Sequence, residues 1–254
     1  MMKRIISVVC AAVLCLAAFS GCSNDGKLTM ATNAAFPPFE FVSNDNGLVD
    51  IFTGVDIAIA KAIADDMGKT LEVQNMEFEA VLMAVPQGTV DFAAAGITAD
   101  DERRQSMDFS DTYYTATQYI IVRGDNTTIN SAADLMTAAV GAIDGYTGFK
   151  QCMEMGIPNL TSFKQGVDAV NELKNGKLDA VVIDSHTALA LIKVSGGLKY
   201  VTDNAIFGTE EYAIAVKKGN KEMLDQINKV LAKLIADGKI DEFVAQYTEE
   251  AGME

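Results

Sequence analysis

Short apolar runs alternate with longer stretches whose apolar residues recur every three or four positions, from Lys27 almost to the C-terminus. An unbroken apolar run marks a strand, and recurrence at helical spacing marks a helix. The runs at 27–32, 71–76 and 90–95 read as strands. Between them lie a helix from Gly54 to Gly68, carried by Val55, Ile59, Ala62, Ile63 and Met67, and a shorter helix over 79–87 limited by Pro86 and Gly88. After a strand at 118–123 and a break at Gly124-Asp125-Asn126 the order resumes. It gives helix 131–136, strand 138–143, helix 148–155, strand 159–163, helix 166–174, strand 179–183, helix 185–194 and strand 198–201. An extended run at 212–216, an amphipathic helix at 220–237 and a short helix to about Tyr247 come last. Such alternation predicts an α/β fold, and 254 residues suffice for two lobes. The breaks place their joints near Gln118–Arg123 and Tyr212–Val216. Three stretches stand outside the alternation: a proline-fixed loop at 36–41, a turn-rich segment at 43–50 and a polar-aromatic loop at 107–114.

The first 21 residues are a separate object. Lys3 and Arg4 precede the apolar run Ile5 to Phe19, which is shorter than the ~20 residues of a membrane-spanning helix, and Ser20-Gly21 follow it. A signal peptide is expected at 1–21. Phe19-Ser20-Gly21-Cys22 resembles a bacterial lipobox, with phenylalanine in place of the usual leucine, and implies a lipidated Cys22 and a tether at 22–26. Cys10 and Cys15 would leave with the signal, so Cys152 cannot form an internal disulfide. It is expected to be a buried small apolar residue on its helix. Removing Lys3 and Arg4 moves the formal charge from −15 to −17. That balance argues against nucleic acid and against a basic membrane-binding patch.

In open α/β sheets ligands sit beyond the carboxyl ends of the strands. Asn33, Phe36, Phe78, Gly96 and Thr98 all fall at such ends. In Gly96-Ile97-Thr98-Ala99-Asp100-Asp101-Glu102-Arg103-Arg104, Gly96 permits close approach to the backbone and Thr98 offers a hydroxyl. Arg103 presents a planar fork that fits a carboxylate bidentately. The stretch fits a carboxylate receptor and also an ordinary strand-to-helix turn with a solvated charge run. Thr147, between Gly145 and Gly148 at a helix start, can add donors at a favourable dipole end. Asp184 follows an apolar strand and precedes a helix, which suits either an N-cap or the partner of a ligand ammonium. His186, the single histidine, is expected to face solvent on the first turn of its helix, and no metal site is indicated. The 12 methionines are scattered along apolar faces, as core packing would place them.

The ordered set Phe36-Pro37-Pro38-Phe39-Glu40-Phe41, Gly54-Val55-Asp56-Ile57, Ala95-Gly96-Ile97-Thr98, Asp101-Glu102-Arg103, Asp108-Phe109-Ser110, Gly145 with Thr147-Gly148, Leu178-Asp179-Ala180 with Asp184, and Tyr212-Ala213-Ile214-Ala215-Val216 resembles bacterial extracellular solute-binding proteins of family 3. These are the amino-acid-binding components of ABC importers. The resemblance implies a two-lobed, type II periplasmic-binding-protein-like α/β fold with two hinge crossings. Lobe one would comprise 27–121 and, after a return, 213–254, and lobe two 122–212. It implies that Arg103, Thr98 and the Gly96 backbone hold an α-carboxylate, aided by Thr147. Asp184 would hold the α-ammonium, and Phe36 and Phe78 would sandwich the side chain. Asn33 stands where several relatives carry an acid facing that side chain, which favours a neutral polar ligand. Tyr146 departs from the family pattern and is bulky enough to reshape the pocket.

The expected function is capture of a free L-amino acid and its delivery to the permease subunits of an importer. A monomer held to the membrane by its lipid anchor would perform it without cofactor or catalysis. Two other readings use the same fold: a secreted dehydratase acting on prephenate-like carboxylates, and a sensory ligand-binding module.

Overall fold

Ala180–Asp184 is buried at every position because it lies inside a five-stranded sheet, covered on both faces. Across that sheet the strands run Leu160–Phe163, Val140–Ile143, Ala180–Asp184, Gln118–Arg123 and Leu198–Thr202. The first three are parallel, and Gln118–Arg123 is antiparallel to both its neighbours. The other five-stranded sheet has the order Thr70–Asn75, Lys27–Thr32, Phe92–Ala93, Ala215–Lys217 and Met107–Phe109. Here Lys27–Thr32 pairs in parallel on both sides, while Ala215–Lys217 runs antiparallel between Phe92–Ala93 and Met107–Phe109. The chain therefore leaves the first sheet, builds the second and comes back. Its two passages, Tyr114–Ala116 and Glu210–Tyr212, pair antiparallel with each other. The computed structural model describes residues 26–43 and 51–252. The expected signal peptide, Cys22 with nearly all of its tether, and most of the turn-rich segment at 43–50 lie outside them.

Helix Val55–Asp66 buries Val55, Asp56, Ile59, Ala60, Ile63 and Ala64, the face that packs on the first sheet. Gly54 starts it at φ 125°, and a Cβ there would lie 2.2 Å from the Phe39 carbonyl oxygen. The backbone thus passes so close to Phe39 that Val55 N and Asp56 N donate to the Pro38 and Phe39 carbonyls at 3.1 and 2.9 Å. Helix Lys221–Ala236 is capped by Asn220, whose side chain accepts from Met223 N. It buries Met223, Ile227, Val230 and Leu231, and Lys229 pairs with Asp66 of the first helix at 2.8 Å. Among the described residues no helix is long and apolar enough to cross a membrane.

Elements held by remote partners differ from the sequence expectations. The loop at 36–41 contains strands Ala35–Phe36 and Glu40–Ser43, the latter paired with Ile51–Thr53. The polar-aromatic stretch supplies Met107–Phe109 and Tyr114–Ala116, whose partners lie about a hundred positions downstream. The extended run at 212–216 is split between Glu210–Tyr212 and Ala215–Lys217, which belong to different sheets. The strand expected over 90–95 is ordered as a ladder only at Phe92–Ala93. Before it, Asp91 takes Thr29 N and Oγ1 with its carboxylate at 2.7 and 2.8 Å while its own N–H reaches Thr29 O at 3.1 Å, so side-chain bonds are added to a single backbone bond there. The helix at 131–136 is a 3-10 helix, Ala132–Thr137, tightened by the reciprocal Ser131–Asp134 capping box. A short helix at Asn204–Phe207 carried no periodic signal.

Candidate functional site

The first wall of the site begins at Gly96, just past Phe92–Ala93. Its φ of +53° suits glycine, and a Cβ would lie 2.6 Å from Phe36 Cε1, so the Phe36 ring can cover the loop only because no side chain is there. Gly96 N donates to Asp56 Oδ2 at 2.8 Å, which fixes the loop to the first helix. Asp56 is fully buried; that burial pushes its carboxyl up to about 6, against the opposing pull of the Gly96 N–H. Burial, with Asp56 and Asp184 nearby, pushes the neighbouring Glu40 well above the carboxylate range. Arg103 opens a 3-10 turn, Arg103–Gln105, and is held by its own N–H on Asp100 Oδ1 at 2.8 Å. Its Nη1 donates to Thr98 O and its Nη2 to Gly145 O, both at 2.9 Å, and its guanidinium carbon lies 5.4 Å from the Phe78 ring centre. Desolvation lowers the Arg103 pKa, and Asp100, Glu210 and Asp184 oppose that shift.

The second wall comes from the other sheet. Thr147 is the first residue of helix Thr147–Glu154, and its hydroxyl reaches Thr98 Oγ1 across the cleft at 3.1 Å. Asp184 ends its strand at the start of helix Ser185–Ser195, yet its side chain makes no capping bond. Its Oδ1 instead accepts from the Tyr212 hydroxyl at 2.6 Å. Of the two roles open to Asp184 from sequence, the cap is not the one its side chain takes. Burial, reinforced by Glu210, pushes its carboxyl up to about 7.

Phe36, Phe78, Gly96, Thr98, Arg103, Thr147 and Asp184 line one cleft with Ala95 and Tyr146, whose walls leave a cavity of only about 10 Å³ between them. Asn33 stands behind this lining: its Nδ2 donates to Met76 O at 2.8 Å, and its Oδ1 accepts from the Tyr146 hydroxyl at 3.1 Å. Phe78 is the first residue of helix Phe78–Gln87 rather than part of a loop. Further ion pairs rim the cleft. Lys150 bridges Asp100 and Glu102 at 3.3 and 2.7 Å, and Lys164 bridges Glu79 and Asp144, both at 2.8 Å. Most of these partners are solvated, and such pairs contribute little individually.

Sequence reasoning missed Glu210. It is buried, with Oε2 accepting from Thr98 Oγ1 at 2.7 Å and Oε1 from Gln118 Nε2 at 2.6 Å. In the sequence it is one of two adjacent glutamates, and only its place on the returning passage sets it apart from exposed Glu211. His186 corrects another expectation. It is half-buried, its ring meets Phe39 and Tyr114, and its Nε2 lies 2.9 Å from the Tyr114 hydroxyl. The first turn of its helix faces the paired passages, so the position is only partly open to solvent. Cys152 is buried, which pushes its thiol up to about 12.

Two α/β lobes linked by paired passages, with charged groups of opposite sign facing a cleft between them, define a solute-binding protein of the type II architecture. The chain belongs to the bacterial extracellular solute-binding proteins, family 3, which it matches over residues 28–250. It is 31% identical to a probable histidine-binding protein of Neisseria gonorrhoeae, covering 99% of this chain and 97% of that one. It is 32% identical to the arginine-binding extracellular protein ArtP of Bacillus subtilis, covering 95% and 96%. The amino acid ABC transporter substrate-binding protein AbpA of Streptococcus pneumoniae, bound to L-arginine, superposes with a TM-score of 0.85 at 33% identity, covering 91% of this chain and 97% of that one.

Proposed function

We propose that the chain captures a free, neutral polar L-amino acid between its lobes and delivers it to the permease of an ABC importer. It would do so as a monomer held by a lipid on Cys22. The observation that carries this reading is the meeting of Arg103 from one lobe and Asp184 from the other in a single cleft. An α-carboxylate would take the Arg103 fork in place of the Gly145 carbonyl, with the Thr98 and Thr147 hydroxyls beside it. The α-ammonium would answer Asp184. A zwitterion of this shape touches both lobes at once, so its affinity for the closed form exceeds that for the open one and shifts the population toward closure. No group in the reading breaks a bond. The cleft offers charge recognition, and Thr98 and Thr147 serve as hydroxyl donors rather than nucleophiles.

Thermal melting of the mature chain against the twenty amino acids, cystine and prephenate tests it. An amino acid at ~100 times its Kd is expected to add roughly 2.7 kcal/mol of stability. Turnover of prephenate with no shift from any amino acid would replace the reading by the dehydratase one.

A pH dependence follows from Asp184. Its folded-state pKa is raised from 3.8 to about 7, so below about 7 the carboxyl is protonated and cannot balance an ammonium. Affinity is expected to fall by up to about tenfold per pH unit as pH drops below about 7, and to level off above it. In the ligand-free protein the same shift works the other way. The folded state holds a proton that the unfolded chain has released, so this group's contribution weakens folding as pH rises from 3.8 to about 7. Titration calorimetry across that range checks the first effect, and Asp184→Asn should flatten the profile as well as weaken binding.

A further inference from the structure

The gap between Phe36 and Phe78, where the family resemblance puts the ligand's side chain, is already filled by the protein. Tyr146 stands edge-on to both rings, with centres 5.5 Å from Phe36 and 4.7 Å from Phe78. A side chain lying between two rings needs roughly 3.5–4.0 Å on each side. Neither distance leaves room for one between Tyr146 and its neighbour.

The ring is also latched. Its hydroxyl donates to Asn33 Oδ1 at 3.1 Å, and Asn33 is itself pinned by donating to Met76 O at 2.8 Å. The backbone is held on both sides, with Tyr146 N on Ile143 O at 3.0 Å and Lys150 N on Tyr146 O at 3.2 Å. Moving the ring aside would forfeit two aromatic edge contacts and leave a buried phenol without a partner.

We infer that Tyr146 determines specificity by occupying the side-chain compartment, so that the chain accepts amino acids with short side chains and rejects long ones. The inference rests on the amino-acid reading above and narrows it. The space left beside Thr98 and Thr147 is only about 10 Å³, so the shortest side chains, serine or alanine, demand the least further opening. Glutamine, arginine and cystine would each have to displace the ring before the lobes could close. The chemistry needed for the carboxylate and ammonium is unaffected, because Arg103 and Asp184 do not contact the Tyr146 hydroxyl.

The test is titration calorimetry of the mature wild-type chain, Tyr146→Phe and Tyr146→Ala with alanine, serine, glutamine and arginine. A methylene more or less in a snug pocket changes affinity by about 10–200-fold. Wild type is therefore expected to bind serine or alanine at least about tenfold more tightly than glutamine or arginine. Tyr146→Phe, which keeps the ring, should retain the preference, and Tyr146→Ala should erase or reverse it. Wild-type binding of glutamine or arginine as tight as that of serine overturns the inference while leaving amino-acid capture intact. So does an unchanged ratio in Tyr146→Ala with a normal melting transition. Should Tyr146→Ala fail to fold, the wild-type ratio decides alone. Absence of binding by all four ligands, and by the remaining amino acids, overturns both the inference and the reading beneath it.

Discussion

Arg103→Ala is expected to weaken binding of every amino acid the protein takes by about 30-fold or more, because the α-carboxylate is common to all of them. Truncating one partner of a desolvated charge pair costs about 2–5 kcal/mol. At roughly 1.4 kcal/mol per decade that is a loss of about 30-fold to several thousand-fold in affinity. Arg103→Lys should recover only part of it, since an ammonium cannot offer two parallel donors to one carboxylate. The substitution also removes the bond from Nη2 to Gly145 O, one of the contacts that tie the lobes together without ligand. Calorimetry on a variant with an unchanged far-ultraviolet spectrum measures the effect. Normal affinity in Arg103→Ala would remove the residue from the site.

Gly54→Ala should produce the largest loss of stability among single glycine substitutions at the junctions of the first lobe. At φ 125° an L-residue is strained, and the added methyl would meet Phe39 O at 2.2 Å, Phe39 C at 2.6 Å and Pro38 O at 2.9 Å. These are backbone atoms, which cannot rotate away. The junction cannot open without losing the Val55 and Asp56 N–H bonds to Pro38 and Phe39. Steric and backbone effects of this kind belong to the rare class above about 4 kcal/mol. At a few degrees per kcal/mol for a chain of this size, a fall of about 10 °C or more in Tm is expected. A drop of only a degree or two on thermal denaturation would contradict the geometry. Binding should weaken too, because Asp56, two residues on, positions the Gly96 N–H.

Where burial follows a local period, the sequence was readable. The helix at 166–174 and the strand at 27–32 appear with their expected bounds, and Ala180–Asp184 carried the unbroken apolar signature of a central strand. Of the eight candidate site residues, the fold brings all but Asn33 to one cleft. The failures share a cause. Met107–Phe109 and Glu210–Tyr212 are short, and each becomes a strand only because a distant segment supplies its hydrogen bonds. Asn33 misses the lining for a related reason. Tyr146, from the other lobe, comes between it and the cleft.

By itself the sequence determined the α/β class, the order of elements and the residue types that can hold a zwitterion. All of these depend on local periodicity, turn chemistry and charge. The tertiary structure alone decided that Glu210 backs Thr98, that His186 turns inward against Phe39 and Tyr114, and that Tyr146 fills the gap beside Phe36 and Phe78. Each of those contacts joins residues more than seventy positions apart or on opposite walls of the cleft. Their distances are set by how the two sheets close on each other, and no local pattern of burial encodes that closure.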